Sequence, residues 1–284
     1  MSERAIRLRG HQLAAQKRRS PAQLFALRAE ISSGQYGGIA VASFAFVLAA
    51  WCALSFSGLV SAYILPTPTA VVGSFFRLLG ESLGADMGMS LYRVWMGFLV
   101  AAALAIPLGL VIGLSKPVEA FVEPMMGFVR YTPAAAFIPL VMVWLGIGET
   151  AKIAIIFIGT FFQMVLVVAD VARAVPADLI NVSLTLGAKP RQVLGHVLLP
   201  ATLPGLLDAC RVMVGWAWTY LVVAELVAAN SGLGFRIMKA QRFLNTSDVF
   251  VGILVIGILG LATDLAFRAL AARLVPWAAV HRAA

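Results

Sequence analysis

The sequence predicts an all-α integral membrane protein with six transmembrane helices. Hydrophobic residues make up 61% of the 284 residues and charged residues only 12%, and the mean hydropathy is +0.92. Soluble domains carry about 25% charged residues, so a water-soluble fold is excluded. Four stretches, 31–76, 94–115, 131–148 and 153–169, contain no charged residue. Each can supply the roughly 17–25 apolar residues that cross about 30 Å of hydrocarbon as a helix.

Two further predicted spans contain ionisable residues. They cover about residues 209–229, which include Glu225, and about 249–271, which include Asp264 and Arg268. The chain is therefore expected to divide into a basic tail at 1–37, a first transmembrane helix with an outer amphipathic segment at 38–85, a core of five transmembrane helices at 86–272, and a C-terminal tail at 273–284.

The distribution of charge predicts the orientation of these spans. Seven Lys and Arg residues and two Glu residues precede the first span, and positive residues remain on the cytoplasmic side. Both termini are predicted to be cytoplasmic, because six crossings return the chain to its starting side. The first span starts too late, and is too long, to be the apolar region of a signal peptide. The net charge of +9 lies at membrane edges, where it favours anionic lipid headgroups over nucleic acid.

Local signals predict two short helices outside the spans. Ser20 and Pro21 would start one over residues 23–31, although a disordered tail is an equal alternative. Thr67 and Pro68 would start the other, which Gly80 would end. We expect this second helix to lie on the outer membrane surface.

Proline and glycine mark positions within the spans. Pro107 is predicted to interrupt the second span, and Pro133 and Pro139 the third, because proline leaves a backbone carbonyl without its helical partner. Gly109 and Gly113 lie four residues apart and would allow close contact between helices. Cys52 and Cys210 lie in or beside spans and are expected to be free thiols.

A polar loop over about residues 174–205 connects the fourth and fifth spans. Pro176 is predicted to start a short helix, and Gly187 to end it in the left-handed conformation. A second short helix would start at Pro190, and Pro200 and Pro204 would break the chain before it re-enters the membrane. Lys189 and Arg191 would occupy the exposed corner between the two helices.

This loop resembles the EAA loop of importer-type ABC permeases. The family pattern is Glu-Ala-Ala, three residues, Gly, nine residues, Ile, x, Leu, Pro. Here Gly187 is followed after nine residues by Val197, a spacer, Leu199 and Pro200, whereas Asn181-Val182-Ser183 stands in place of Glu-Ala-Ala. Segments 90–98, 133–140, 144–152, 224–226, 232–235 and 273–277 resemble one branch of the family, the permeases for nitrate, taurine and aliphatic sulfonates. The resemblance extends from about residue 65 to 277.

The resemblance implies the permease subunit of an ATP-driven importer in the bacterial inner membrane, with the type I permease fold. It implies a homodimer, two cytoplasmic ABC ATPase subunits and an extracytoplasmic solute-binding protein. ATP and Mg would be used by the ATPase, and no cofactor would be bound by this chain. Taurine or another sulfonate is the first expected cargo and nitrate the second, while bicarbonate or an aromatic carboxylate remains open. The loop would act as a coupling helix on the ATPase, through Asn181, Ser183, Leu184, Leu186, Gly187, Ala188, Lys189, Pro190, Arg191, Leu199 and Pro200.

Polar groups inside the spans are candidates for the translocation pathway, because burying them in a membrane is costly. Arg130 would present a cation to an anionic cargo or extend to the headgroups. Glu225 would hold a neighbouring helix or contact cargo, and Gln163 would line the pathway. Asp264 and Arg268, four residues apart, are expected to form an ion pair.

Other function classes lack the residues that they need. The sequence contains no phosphate-binding G-x-x-x-x-G-K-[ST] motif, so ATP hydrolysis is not expected in this chain. It contains no G-x-S-x-G motif, and its three histidines lie outside the spans, which excludes a membrane-embedded hydrolase and a recognisable metal site. The alternative is an ion-coupled secondary carrier of a small anion that works without an ATPase.

Overall fold

The computed structural model describes residues 32–277, in which all regular secondary structure is helical. The predicted helix over 23–31 lies outside the described residues, as does most of the basic tail. Helix α1 (Ser33–Phe56) belongs to a first unit that ends at residue 61. Ser32 caps it, because the Ser32 hydroxyl accepts from the Gln35 backbone while the Gln35 side chain accepts from the Ser32 backbone.

The second unit begins at residue 62 and contains the remaining helices. Thr67 caps its first helix by accepting from the backbone N–H of Ala70, which confirms the helix predicted to start at Thr67 and Pro68. The helices are α2 (Pro68–Glu81), α3 (Leu83–Leu114), α4 (Lys116–Arg130), α5 (Ile138–Leu145), α6 (Glu149–Arg173), α7 (Ala177–Thr185), α8 (Pro190–Val193), α9 (Leu199–Ala228), α10 (Leu233–Arg242) and α11 (Thr246–Leu274).

Five helical stretches of the described chain are long and apolar enough to cross a membrane, and a bent pair of helices supplies a sixth crossing if it is counted as one span. The prediction of six spans is confirmed on that count. The third span was predicted over 131–148, whereas the bent pair begins earlier, at Lys116, and ends at Leu145. The chain bends by 87° between α4 and residues 134–145, which agrees with the predicted interruption at Pro133. Pro133 lies at this bend without an N–H to donate, and Gly146 ends α5 with a φ of +74°.

Helices α3 and α6 run parallel in direct contact and form the centre of the second unit. A Cβ atom on Gly109 would lie 2.6 Å from the carbonyl oxygen of Val165, and one on Gly113 would lie 2.5 Å from Cβ of Ala172. These distances confirm the predicted close contact, which only glycine permits. Helix α9 runs antiparallel to α6, also contacts α3, and completes the buried core around Met164, Leu221 and the α3 side chains.

Proline interrupts the third span at Pro133, as predicted, but it does not break the helices at Pro107, Pro200 or Pro204. Helix α3 continues through Pro107, and α9 includes both Pro200 and Pro204. Immediately before Pro200 the chain forms a π-helical turn over Leu194–Leu198, in which the N–H of Leu199 donates to the carbonyl of Leu194. This wider turn accommodates the proline, so residues 190–228 form one continuous helix. The predicted break between the loop and the fifth span was therefore wrong.

Candidate functional site

A cavity of about 210 Å³ lies between the end of α4, the middle of α6 and the middle of α9. Arg130 and Gln163, two of the three residues predicted for the pathway, both line it. The turn after α4 supplies Thr132 and Ala134, and α9 supplies two aromatic rings. The full lining is Val129, Arg130, Thr132, Ala134, Ile158, Gly159, Phe162, Gln163, Trp216 and Tyr220.

The guanidinium of Arg130 has no carboxylate within ion-pair distance among residues 32–277. Its Nη2 donates to the hydroxyl of Tyr131 at 3.1 Å, and its Cζ lies 4.9 Å from the centroid of the Tyr131 ring. The other described basic residues without an acidic partner lie in the loop, on α10 or at the end of α11. Of the basic residues in 32–277, Arg130 alone combines an uncompensated charge with a position beside the middle of α6, and it therefore provides an electrostatic attraction for an anion in the cavity.

Glu225, the third predicted pathway residue, does not line this cavity. Its side chain is only 1% exposed in the structure. One carboxylate oxygen accepts from Nη1 of Arg93 at 2.6 Å and from Oγ of Ser90 at 2.8 Å, and the other accepts from the N–H of Gly234 at 2.7 Å. All of these partners belong to the protein, which agrees with the alternative that Glu225 holds neighbouring elements together.

Arg93 is a central residue that sequence reasoning did not select. It is 0% exposed and binds both oxygens of Glu149, at 2.6 and 2.8 Å, in addition to Glu225. Its Nη1 also donates to the carbonyl of Ser231 at 2.7 Å, and Lys152 donates to Glu149 at 2.8 Å. This group, here called the outer network (Arg93, Glu149, Lys152, Glu225 and Ser231), joins α3, α6, α9 and the turn before α10. The sequence did indicate that these charges are unusual, because Arg93 immediately precedes the charge-free run 94–115, and Glu149 and Lys152 precede the run 153–169.

Two further ion pairs connect helices α2 and α10 to the spans. Arg236 on α10 binds Asp86 on α3 at 2.5 Å, and Arg77 on α2 binds Asp248 on α11 at 2.6 Å. The hydrogen bond with Asp248 raises the pKa of the Arg77 guanidinium above its usual value. Near the other end of α11, Asp264 binds Arg268 at 2.7 Å, as predicted, and also contacts Arg211 at 3.3 Å.

The loop between α6 and α9 has the predicted bent form. Helix α7 ends at Thr185, and Gly187 takes a φ of +85°. The N–H of Ala188 then donates to the carbonyl of Ser183 at 3.1 Å, which closes the helix end. Helix α8 starts where the side chain of Gln192 accepts from the N–H of Lys189 at 2.8 Å. Both Lys189 and Arg191 are exposed at this corner.

The outward side of α7 carries an apolar stripe that nothing in the described chain covers. Leu179, Val182 and Leu186 are 47%, 57% and 82% exposed and recur at helical spacing. Asn181 is exposed beside them, while Ser183 is partly buried and donates to the carbonyl of Leu179 at 2.7 Å. Leu199 and Pro200 lie after the π-helical turn, at the start of α9. The opposite side of α7 packs on the bundle, where Ile180 and Leu184 border a small apolar cavity with Leu114, Val193, Leu194 and Leu198.

Residues 32–277 contain no group of three or more His, Cys, Asp or Glu side chains that could hold a metal ion.

The family model for the inner membrane component of binding-protein-dependent transport systems matches residues 105–276. The chain is 38% identical over 235 residues to SsuC of Bacillus subtilis, a permease named for aliphatic sulfonate transport, covering 82% of this chain and 85% of SsuC. It is 34% identical over 245 residues to the taurine transport permease TauC of Escherichia coli, covering 84% and 89%.

The fold is also similar to a chain of the MetNI methionine ABC transporter, solved in inward-facing conformations. The TM-score is 0.57 at 21% sequence identity, over 66% of this chain and 95% of that chain. At this identity the match concerns the fold alone.

Proposed function

The chain belongs to the family of inner membrane components of binding-protein-dependent transport systems, and from that premise we propose that its Arg130 cavity is the passage for a small organic anion. It is a permease subunit of the ABC importer type and an integral protein of the inner membrane. The relatives SsuC and TauC are named for aliphatic sulfonates and taurine, and an organic sulfonate is the cargo we assign to this chain, ahead of nitrate.

The observation that carries this proposal is the uncompensated charge of Arg130. Arg130 is exposed, lines the cavity and has no carboxylate partner in residues 32–277, whereas eight other basic side chains of the described residues have carboxylate partners. A passing sulfonate or carboxylate would supply the missing negative charge, with Gln163 and Thr132 available as hydrogen-bonding groups. The secondary-carrier alternative is not favoured, because Glu225 and Asp264, the carboxylates it would use, are bound by arginines.

Replacement of Arg130 by glutamine tests this proposal in the intact complex. We expect the efficiency of labelled taurine uptake to fall by about ten- to hundredfold, since a hydrogen bond to a charged group contributes about 1.5–3 kcal/mol. Arg242→Gln is the matched control, because Arg242 is exposed on α10 and also has no acidic partner among residues 32–277. Unchanged uptake by Arg130→Gln, at wild-type levels in the membrane, would remove Arg130 from the pathway.

The segment 174–205 is proposed to receive the movement of a cytoplasmic ATPase. The apolar stripe of α7 would insert into the ATPase, and Lys189 and Arg191 would border the contact. Since Asn181 replaces the family's glutamate, the stripe rather than an ion pair would provide most of the contact. Residues 190–228 form one continuous helix, so a movement at Lys189 would be passed directly to Trp216 and Tyr220 in the cavity wall.

The proposed assembly follows the resemblance of the sequence. A second copy of this chain would complete the membrane domain, two ATPase subunits would use ATP and Mg, and an external solute-binding protein would deliver the anion. The division of the chain at residues 37, 85 and 272 is retained within this proposal. Size measurement of the purified complex, together with its subunit ratio, tests the assembly independently of transport.

A further inference from the structure

The Arg130 cavity has two chemically different sides. Arg130 and Thr132 form a cationic and polar side at the end of α4, whereas α9 contributes the rings of Trp216 and Tyr220. Helix α6 lies between these sides and adds the ring of Phe162 and the amide of Gln163. A ligand in this cavity would therefore meet a positive charge and aromatic surface at the same time.

The aromatic side is held in place by the packing of two helices. A Cβ atom on Gly159 would lie 2.3 Å from Cδ2 of Tyr220, so the tyrosine ring lies directly against the backbone of α6. Trp216, one turn earlier on α9, stacks on Tyr220 with ring centroids 6.2 Å apart and an angle of 27° between the planes. Because both rings belong to a regular helix, their position is set before any ligand enters.

The size of the cavity exceeds what a small inorganic anion fills. A cavity of about 150 Å³ can bind benzene, so a cavity of about 210 Å³ has room for an organic anion. Nitrate, with four atoms, would leave the aromatic side without a contact. A sulfonate with a short carbon chain would place its charged group at Arg130 and its methylene groups against Trp216 and Tyr220.

We propose that the aromatic side formed by Trp216 and Tyr220, and positioned by Gly159, makes this permease select organic anions by the length of their apolar part. The inference rests on the proposed function of the cavity, because it concerns the same site. It assigns a selective role to three residues of that site. It predicts that uptake is lowest for nitrate and rises through methanesulfonate and ethanesulfonate to butanesulfonate.

Uptake of this series by the complete complex, with one unchanged solute-binding protein, tests the inference. Selection by the binding protein is then constant, so a changed ratio between two anions comes from the permease. Gly159→Ala displaces the Tyr220 ring from its place against α6, because the added Cβ atom would lie 2.3 Å from Cδ2 of the ring. This variant is expected to lower uptake of butanesulfonate relative to methanesulfonate by about tenfold, near the lower end of the effect of one methylene group in an apolar pocket. Trp216→Ala is expected to lower the same ratio and to raise the relative uptake of nitrate.

Gly215→Ala is the matched control, because a Cβ atom there meets nothing within 4 Å, and its ratios should equal those of the wild type. If Gly159→Ala fails to reach the membrane, Trp216→Ala decides the result. Unchanged ratios in the aromatic variants overturn the inference. If Arg130→Gln then still lowers uptake of every anion, the proposed function stands without the inference, whereas unaffected uptake by Arg130→Gln overturns the proposed function itself.

Discussion

Replacing Glu225 by methionine removes one partner from the outer network and should strongly destabilise the protein. The substitution deletes three hydrogen bonds, from Arg93 at 2.6 Å, Ser90 at 2.8 Å and Gly234 at 2.7 Å. Breaking a buried ion pair in this way costs about 3–5 kcal/mol, because the remaining charge stays buried. Arg93 keeps both bonds to Glu149, so we expect a loss near the lower limit, about 3 kcal/mol.

The double variant Arg93→Met/Glu225→Met separates the ion pair from general damage to the core. Without Arg93 no charge is left unpaired in the interior, since the side chain of Glu149 is 40% exposed and can be hydrated. The double variant should therefore lose less stability than the sum of the two single variants, with a difference of about 1–3 kcal/mol.

The free energies of unfolding of these variants are measured on the purified complex in detergent, with unfolding induced by heat or by denaturant. Glu81→Met is a suitable control, because Glu81 is 53% exposed and forms a surface pair with Arg77; such pairs contribute about 0.2–1 kcal/mol. Additivity of the two single variants within about 0.5 kcal/mol would refute the reasoning, because it would mean that Arg93 and Glu225 do not interact energetically.

Three other substitutions test the packing of the spans and the loop. Gly109→Ala places a Cβ atom 2.6 Å from the Val165 carbonyl oxygen and should lower the free energy of unfolding by about 1–3 kcal/mol. Gly127→Ala is the control, because its Cβ atom meets nothing within 4 Å, and it should show no loss. Equal melting temperatures of these two variants would contradict the prediction. Gly187→Val should abolish uptake and its coupling to ATP hydrolysis, since valine is strained at a φ of +85°, while Gly187→Asn should retain both because asparagine tolerates this backbone. Leu186→Asp should weaken co-purification of the ATPase at least tenfold, and undiminished co-purification would exclude the stripe from the contact.

The parts of the fold that could be predicted are those with local causes. The helix after Thr67 follows from a capping side chain, and the turn at Gly187 from a residue that adopts positive φ readily. The outer network could not be predicted, because Arg93 and its partner Glu225 are 132 residues apart and no local pattern specifies which charges meet. The cavity was anticipated only in that Arg130 and Gln163 were both selected, without any indication that they share it.

The role of proline was predicted incorrectly at Pro107, Pro200 and Pro204 for a physical reason. A missing N–H argues for a break when water is available to satisfy the freed carbonyl. In a membrane-spanning helix the alternative to continued helix is an unpaired backbone, which costs several kcal/mol. Helix α3 therefore continues through Pro107, and α9 through Pro204. The bend at Pro133 has additional support, since the chain there enters a 3-10 turn over Ala134–Phe137.

The π-helical turn at Leu194–Leu198 also fixes the angular register between the loop and the cavity. Successive residues of an α-helix are rotated by about 100° around its axis, and the turn inserts one residue beyond the α-helical count. The angle around the helix axis between Arg191, before the turn, and Trp216, after it, therefore differs from the angle in an uninterrupted α-helix. Deletion of a single residue from this turn would leave both ends intact as helix but rotate the aromatic rings by about 100° with respect to the corner formed by Lys189 and Arg191.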